Sequence, residues 1–339
     1  VKIGFYTSTF NDRPLEEVVD FAASAGFDAI EIDVGGHIKT PDRVADAVAL
    51  ARQRNLFVSS LTYFGNQLDA DRDKRRELRA RTAEFARAIG ETGVPIFVIF
   101  PGRDDSASEE ANYDDFADLA NGLIAETQES GLTFAIENWP GPKDNFVGTT
   151  PKGWQELFAR ISERRFGLEF DPSHLIRIGV DPYRAMEAVK DRIAILHAKD
   201  TAIDREALQA LGYHGKGWWQ YKLPGLGLLD WPRFLRQARG YGFDGTLSIE
   251  HEDAAYGWPG KDLSARKEGE RLGLDYLKCL ERTLTGNSGG VSWPMFRSTM
   301  RARITAHSKP SKASRSISVM VNSWCWSAPP AAGNRRCYG

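Results

Sequence analysis

Four short apolar runs in this chain lead into side chains that can hold a metal ion or move a proton. Thr133-Phe134-Ala135-Ile136 precedes Glu137, Gly167-Leu168-Glu169-Phe170 precedes Asp171, Ile195-Leu196 precedes His197, and Leu247-Ser248-Ile249 precedes Glu250. A charge at the end of a buried run is too costly to be idle. Three carboxylates brought to one place repel one another strongly unless a cation sits among them. Carboxylate oxygens with a single imidazole suit a hard divalent ion, Mn²⁺ first and Mg²⁺ or Co²⁺ as alternatives, better than a thiolate-favouring metal. Glu137, Asp171, His197 and Glu250 are therefore expected to bind one such ion. The signal is their combination, since any one of them could be an ordinary ion pair.

Such an ion can chelate a carbonyl and a neighbouring hydroxyl of a sugar and stabilise the enediolate left when the α-proton departs. Glu137 and Glu250 are the expected acid–base pair, one taking the proton and the other returning it so that the configuration inverts. If a leaving oxygen on the β-carbon is protonated instead, the same first step becomes an elimination. His174, three residues after Asp171, is a candidate for binding a substrate oxygen or assisting as an acid. Lys199 could contact substrate or pair with Asp200 or Glu250. Tyr6, Trp139, Trp218, Trp219 and Trp258 could form an aromatic rim against the C–H faces of a sugar. Glu31 could reach the same mouth. His251, one residue after Glu250 on a strand, should point away from it. His37 and His214 read more simply as loop residues.

These side chains need a scaffold that gathers strand ends. Strand candidates fall at 1–6, 29–33, 57–61, 96–100, 133–137, 166–170, 193–197 and 245–250, rich in Ile, Val, Phe and Leu as buried parallel strands are. Helix candidates alternate with them at about 14–25, 42–54, 74–92, 112–130, 150–161, 181–189, 231–241 and 263–283. Thr40-Pro41-Asp42 and Thr150-Pro151 read as helix starts, Ala25-Gly26 and Ser130-Gly131 as helix stops. Eight β-α units predict an α/β protein with a (β/α)8 TIM barrel over residues 1–284. A doubly wound sheet would need a glycine-rich phosphate loop after the first strand, and Tyr6-Thr7-Ser8-Thr9-Phe10-Asn11 has no glycine. Long insertions after strands seven (201–230) and eight (251–262) fall on the catalytic face of such a barrel.

Charge separates the body from the last 55 residues. Eight of the 44 basic residues and none of the 46 acidic ones fall in 285–339, leaving 36 basic against 46 acidic residues in 1–284. A body at −10 lacks the basic excess of a nucleic-acid binder. The tail mixes Ser, Arg, Pro, Gly and isolated Trp without periodicity, and is expected to be a basic, low-order segment, non-native or frame-shifted. The alternative for it is a basic interaction arm. No run approaches the roughly 20 apolar residues of a membrane span. The opening Val1-Lys2-Ile3-Gly4-Phe5-Tyr6 reads as a first strand rather than a secretory signal. Cys279, Cys325 and Cys337 cannot build a disulfide framework, which fits a cytoplasmic protein.

Over about 1–284 the sequence resembles the xylose-isomerase-like TIM-barrel superfamily of sugar isomerases and epimerases, which includes ketose 3-epimerases and inosose dehydratase. The resemblance implies that Glu137, Asp171, His197 and Glu250 bind one divalent metal and that the two glutamates also act as acid and base. His174 matches the histidine that follows the family's aspartate, Lys199 the lysine after the strand-seven histidine, and Pro224-Gly225-Leu226-Gly227 a Pro-Gly-x-Gly turn. The substrate-binding arginine of the ketose epimerases finds its nearest candidate in Arg205, at a different spacing. The implied activity is sugar isomerisation or epimerisation. The alternative is a lyase or dehydratase acting on a keto-sugar, either an inosose or a 3-keto-glycoside, including C-glycoside cleavage. The resemblance also implies a small-molecule substrate and a homo-oligomer or a small partner subunit. Endonuclease IV shares the superfamily and the Asp-x-x-His step. Its multi-zinc cluster needs histidines that Leu61-Thr62-Tyr63 and Phe100-Pro101-Gly102 do not supply.

Overall fold

The computed structural model describes residues 1–260 and 262–286. Beyond Gly286, the segment expected to form a basic tail lies outside the described residues. Eight parallel strands form the sheet: β1 (Lys2–Phe5), β2 (Ala29–Asp33), β3 (Phe57–Tyr63), β4 (Ile96–Ile99), β5 (Thr133–Glu137), β6 (Phe166–Phe170), β7 (Ile193–Ala198) and β10 (Thr246–Ile249). The order is β1-β10-β7-β6-β5-β4-β3-β2, and a parallel bridge between Tyr6 and Glu31 links its first and last strands. At that seam a Cβ on Gly4 would stand 2.8 Å from the Ala29 carbonyl oxygen, so the close approach of β1 and β2 requires glycine. The result is the TIM barrel that the alternation predicts.

Flanking helices follow the strands: α1 (Leu15–Ala25), α2 (Val44–Gln53), α3 (Arg72–Gly90), α4 (Glu109–Glu126), α5 (Pro151–Arg160), α6 (Pro172–Arg177), α7 (Pro182–Val189), α8 (Arg205–Leu211), α9 (Trp231–Gly240) and α10 (Leu263–Leu284). Thr150 caps α5 by accepting from the Gly153 N–H, and Gly26 stops α1 at φ 87°. The start expected at Thr40 differs. A 3₁₀ turn spans Pro41–Arg43, α2 begins at Val44, and the Thr40 side chain makes no cap bond. The six-residue α6 was not expected from the sequence. It starts immediately after Asp171, whose carboxylate caps it through the Ser173 N–H at 2.7 Å.

Strand alternation divides the barrel chemically. Phe166 and Phe170 of β6 face outward, meeting Phe116 of α4, Trp154 of α5 and Phe234 of α9 with ring centroids about 6 Å apart. Glu169, His197, Ser248 and Glu31 instead meet one another inside. The apolar core therefore lies between sheet and helices, while the barrel axis is polar.

The insertion after β7 is built on one buried aspartate. Asp200 accepts from the N–H groups of Thr201 (2.8 Å), Gly225 (3.2 Å) and Leu229 (3.1 Å) and from Trp231 Nε1 (3.0 Å). Those bonds fold the chain into an antiparallel hairpin, β8 (Asp200–Ile203) and β9 (Trp219–Lys222), in which Thr201 pairs with Tyr221. The Pro-Gly-x-Gly turn closes beneath it. A Cβ on Gly227 would lie 2.2 Å from Asp200 Oδ1, so that glycine lets the loop reach its anchor.

Candidate metal centre

The barrel brings the four predicted ligands together. One ligand atom from each of Glu137, Asp171, His197 and Glu250 lies within 4.8 Å of all the others, and all four residues are buried. Glu137 ends β5, Asp171 and Glu250 follow β6 and β10, and His197 lies near the end of β7. His197 Nδ1 is 3.2 Å from Glu137 Oε1, 3.0 Å from Glu250 Oε2 and 3.9 Å from Asp171 Oδ2. Asp171 is held from behind, with its N–H and carbonyl both bonded to the Asn138 amide at 2.8 Å. One of its carboxylate oxygens caps α6, while the other, Oδ2, is buried with no hydrogen-bond partner. Four buried donors converging within 4.8 Å, three of them carboxylates and one an imidazole, fit a divalent metal ion. Those residues would hold it.

The charges around the cluster are not equivalent. Burial, reinforced by Glu250, pushes the Glu137 carboxyl up to about 8. Glu250 is buried too, yet Lys199 and His197 hold it well below the usual carboxylate range. Burial raises Asp171 as well. Lys199 is completely buried, with Nζ 2.5 Å from Glu250 Oε2, 2.9 Å from Glu252 Oε2 and 3.2 Å from Asp171 Oδ2. Burial opposes its charge, but these acids keep it protonated.

His174 stands beside the cluster. Its Nε2 is 3.1 Å from Glu137 Oε1 and 3.4 Å from Asp171 Oδ2, and its Nδ1 is 2.7 Å from the Tyr221 hydroxyl. Burial and the neighbouring Lys199 keep its ring neutral. Arg177 Nη1 donates to the same hydroxyl at 3.0 Å and its guanidinium stacks 4.2 Å above Trp219, so hairpin and α6 are clasped over His174.

The other predicted residues divide. Tyr6 stacks on His197 at 5.9 Å. Trp139 joins an aromatic wall, 5.4 Å from Phe64, 6.1 Å from Phe100 and 5.4 Å from Phe146, and Phe64 remains 54% exposed. His251 points away, as expected, between the Tyr256 carbonyl (3.1 Å) and the Asp253 N–H (3.2 Å). His214 is exposed, and His37 bonds the Thr7 carbonyl. Arg205 is a correction. It is the exposed first residue of α8, at the far turn of the hairpin, and Arg177 is the arginine that the fold turns toward the centre.

The sequence reading overlooked Glu169, Tyr221, Glu252 and Arg177. Glu169 and Glu252 stand two residues before Asp171 and after Glu250, so strand alternation was a signal for both. Tyr221 had none, because only the hairpin brings it back to His174.

Comparison with known proteins agrees with this architecture. Over 296 residues the chain is 24% identical to the uncharacterized protein YfiH of Bacillus subtilis (strain 168), a match spanning 75% of this chain and 93% of that protein. It superposes on D-psicose 3-epimerase with D-tagatose from Clostridium cellulolyticum H10 with a TM-score of 0.63, at 13% identity over 83% of this chain and 99% of that one. The probable 3-DHS dehydratase AsbF involved in petrobactin synthesis, from Bacillus anthracis, superposes with a TM-score of 0.61, at 16% identity over 82% and 99% of the two chains. Residues 19–278 match the sequence profile of the xylose isomerase-like TIM barrels, and the chain belongs to that family.

Proposed function

We propose that this protein is a divalent-metal-dependent isomerase or epimerase of a free sugar or related keto-polyol, with Mn²⁺ as the ion. The observation that carries the reading is the pair Glu137 and Glu250, each about 3 Å from His197 Nδ1, in surroundings that push their pKa values in opposite directions. Two carboxyl groups whose surroundings drive their pKa values apart are suited to be acid and base. The ion, when bound, supplies the Lewis acidity that polarises a carbonyl and makes the adjacent C–H acidic. Glu250, kept ionised by Lys199, takes the α-proton. Glu137, with His174 Nε2 3.1 Å from its Oε1, is the group through which a proton is returned from its own side of the cluster. Lys199 and His174 bind substrate oxygens, and Tyr6 with the Trp139 wall packs the C–H faces.

The second reading is a lyase or dehydratase on a keto-sugar. The His174–Tyr221–Arg177 chain favours it, because elimination needs a proton donor for the departing oxygen and this chain offers one beside Glu137. AsbF, a probable 3-DHS dehydratase, shares the fold.

Chelation and proton exchange test both readings. Protein stripped with a chelator is expected to lose turnover and regain it with Mn²⁺. NMR in D₂O with a panel of ketoses and 3-keto-glycosides is expected to show deuterium entering a carbon next to a carbonyl. Epimerisation releases nothing and leaves the composition unchanged, whereas a lyase releases an aglycone or water. Full turnover after exhaustive chelation would sink both readings.

A further inference from the structure

We propose that Glu31, with Glu169 beside it, is a positioning pair that decides which nitrogen of His197 faces the ion. The proposal rests on the metal-centre reading above. A neutral imidazole has one N–H and one lone pair. His197 turns Nδ1 toward Glu137 and Glu250, so its lone pair reaches the ion only if the hydrogen sits on Nε2. That nitrogen lies 3.2 Å from Glu31 Oε2, in hydrogen-bonding geometry, and 3.1 Å from Glu169 Oε1. Glu31 cannot swing away. Ser248 Oγ donates to its Oε2 at 2.6 Å and Thr62 Oγ1 to its Oε1 at 2.5 Å. A carboxylate rooted in β2 is thus tied to β3 and β10 before it meets the ring from β7.

Glu169 is completely buried, and its Oε1 faces His197 Nε2 at 3.1 Å. A carboxyl group so placed is expensive, and an acceptor pressed against the same ring nitrogen gives it a use. The competing idea is a second ion among Glu31, Glu169 and His197, whose candidate ligand atoms lie within 4.8 Å of one another. It requires lone pairs on both ring nitrogens, hence an imidazolate, while Ser248 and Thr62 already occupy the oxygens of Glu31. The geometry favours an N–H acceptor.

The test uses metal-free full-length protein titrated with Mn²⁺, reading free ion by electron paramagnetic resonance. Wild type is expected to bind one ion per chain. Glu31→Gln and Glu169→Gln each weaken binding, and the double variant weakens it about 10- to 100-fold. Glu270→Gln is the control, since Glu270 is another completely buried acid, carried by α10 away from His197, and should leave the affinity unchanged. Circular dichroism and thermal unfolding of the metal-free variants check that they fold. In Zn²⁺-loaded wild type, ¹⁵N-histidine spectra should place the His197 proton on Nε2. Wild-type affinity in the double variant, or two ions per wild-type chain, would overturn the positioning role alone. No binding by wild type would overturn the metal centre and this inference with it.

Discussion

Glu137 and Glu250 flank one imidazole nitrogen with their pKa values pushed in opposite directions, and glutamine at either position separates their roles. In the proposed mechanism Glu137→Gln removes the group that returns the proton and Glu250→Gln removes the base. Each is expected to lower kcat by about 10²- to 10⁴-fold, measured as the rate of deuterium incorporation at saturating Mn²⁺. Near-normal exchange in either variant would contradict the acid–base assignment. At this scale the sequence is informative where a charge ends an apolar run, which is why Glu137, Asp171, His197 and Glu250 were legible. It is less informative where a charge sits inside such a run. Glu169 was passed over as part of a strand, although alternation puts it on the same face as Asp171. Arg205 was chosen by its place along the chain and Arg177 was not, because the partner of Arg177 is Tyr221, 44 residues away.

Among the elements, the β8–β9 hairpin is the one whose form bears most on the site and could not be read in advance. Its local cues, Trp218-Trp219 and the Pro-Gly-x-Gly turn, mark an ordered insertion without showing that strands pair across it. The barrel elements were readable because each is a local pattern. The spans 29–33, 133–137 and 166–170 agree at both ends with β2, β5 and β6. What orders the hairpin is Asp200, with three backbone donors and one indole donor on its carboxylate. Asp200→Ala leaves those donors buried without an acceptor, at about 1–3 kcal/mol for each group that cannot find water. The variant is expected to lose about 3 kcal/mol or more in urea unfolding, and to be cut faster by protease within 204–218. Unchanged stability would mean that the loop holds itself together without its anchor.

For the whole molecule, folding and ion binding are linked through the polar barrel axis. An ion that binds only the folded chain stabilises it by about 2.7 kcal/mol at a hundred times its Kd. The gain should depend on pH with a definite sign. Below about 8 Glu137 retains the proton that a ligand must give up, so the ion competes with it. Affinity, and with it the Mn²⁺-induced rise in unfolding temperature, is therefore expected to grow from pH 6 to pH 8. It should change by at most about tenfold in Kd per pH unit, the limit for displacing one proton. Differential scanning fluorimetry at fixed Mn²⁺ across that range checks it. A flat profile, or a fall with rising pH, would mean that the ion does not displace a proton from Glu137.

Because cohesion comes from the aromatic layer between staves and helices, the acid-lined shaft adds little strength and demands tolerance from its surroundings. Any selection that rewards heat resistance alone would tend to replace Glu169 or Glu31 with something greasy. The winners would be sturdier barrels with nothing left to hold the imidazole in place. Laboratory evolution of this protein has to score turnover in every round, or it will breed inert cylinders.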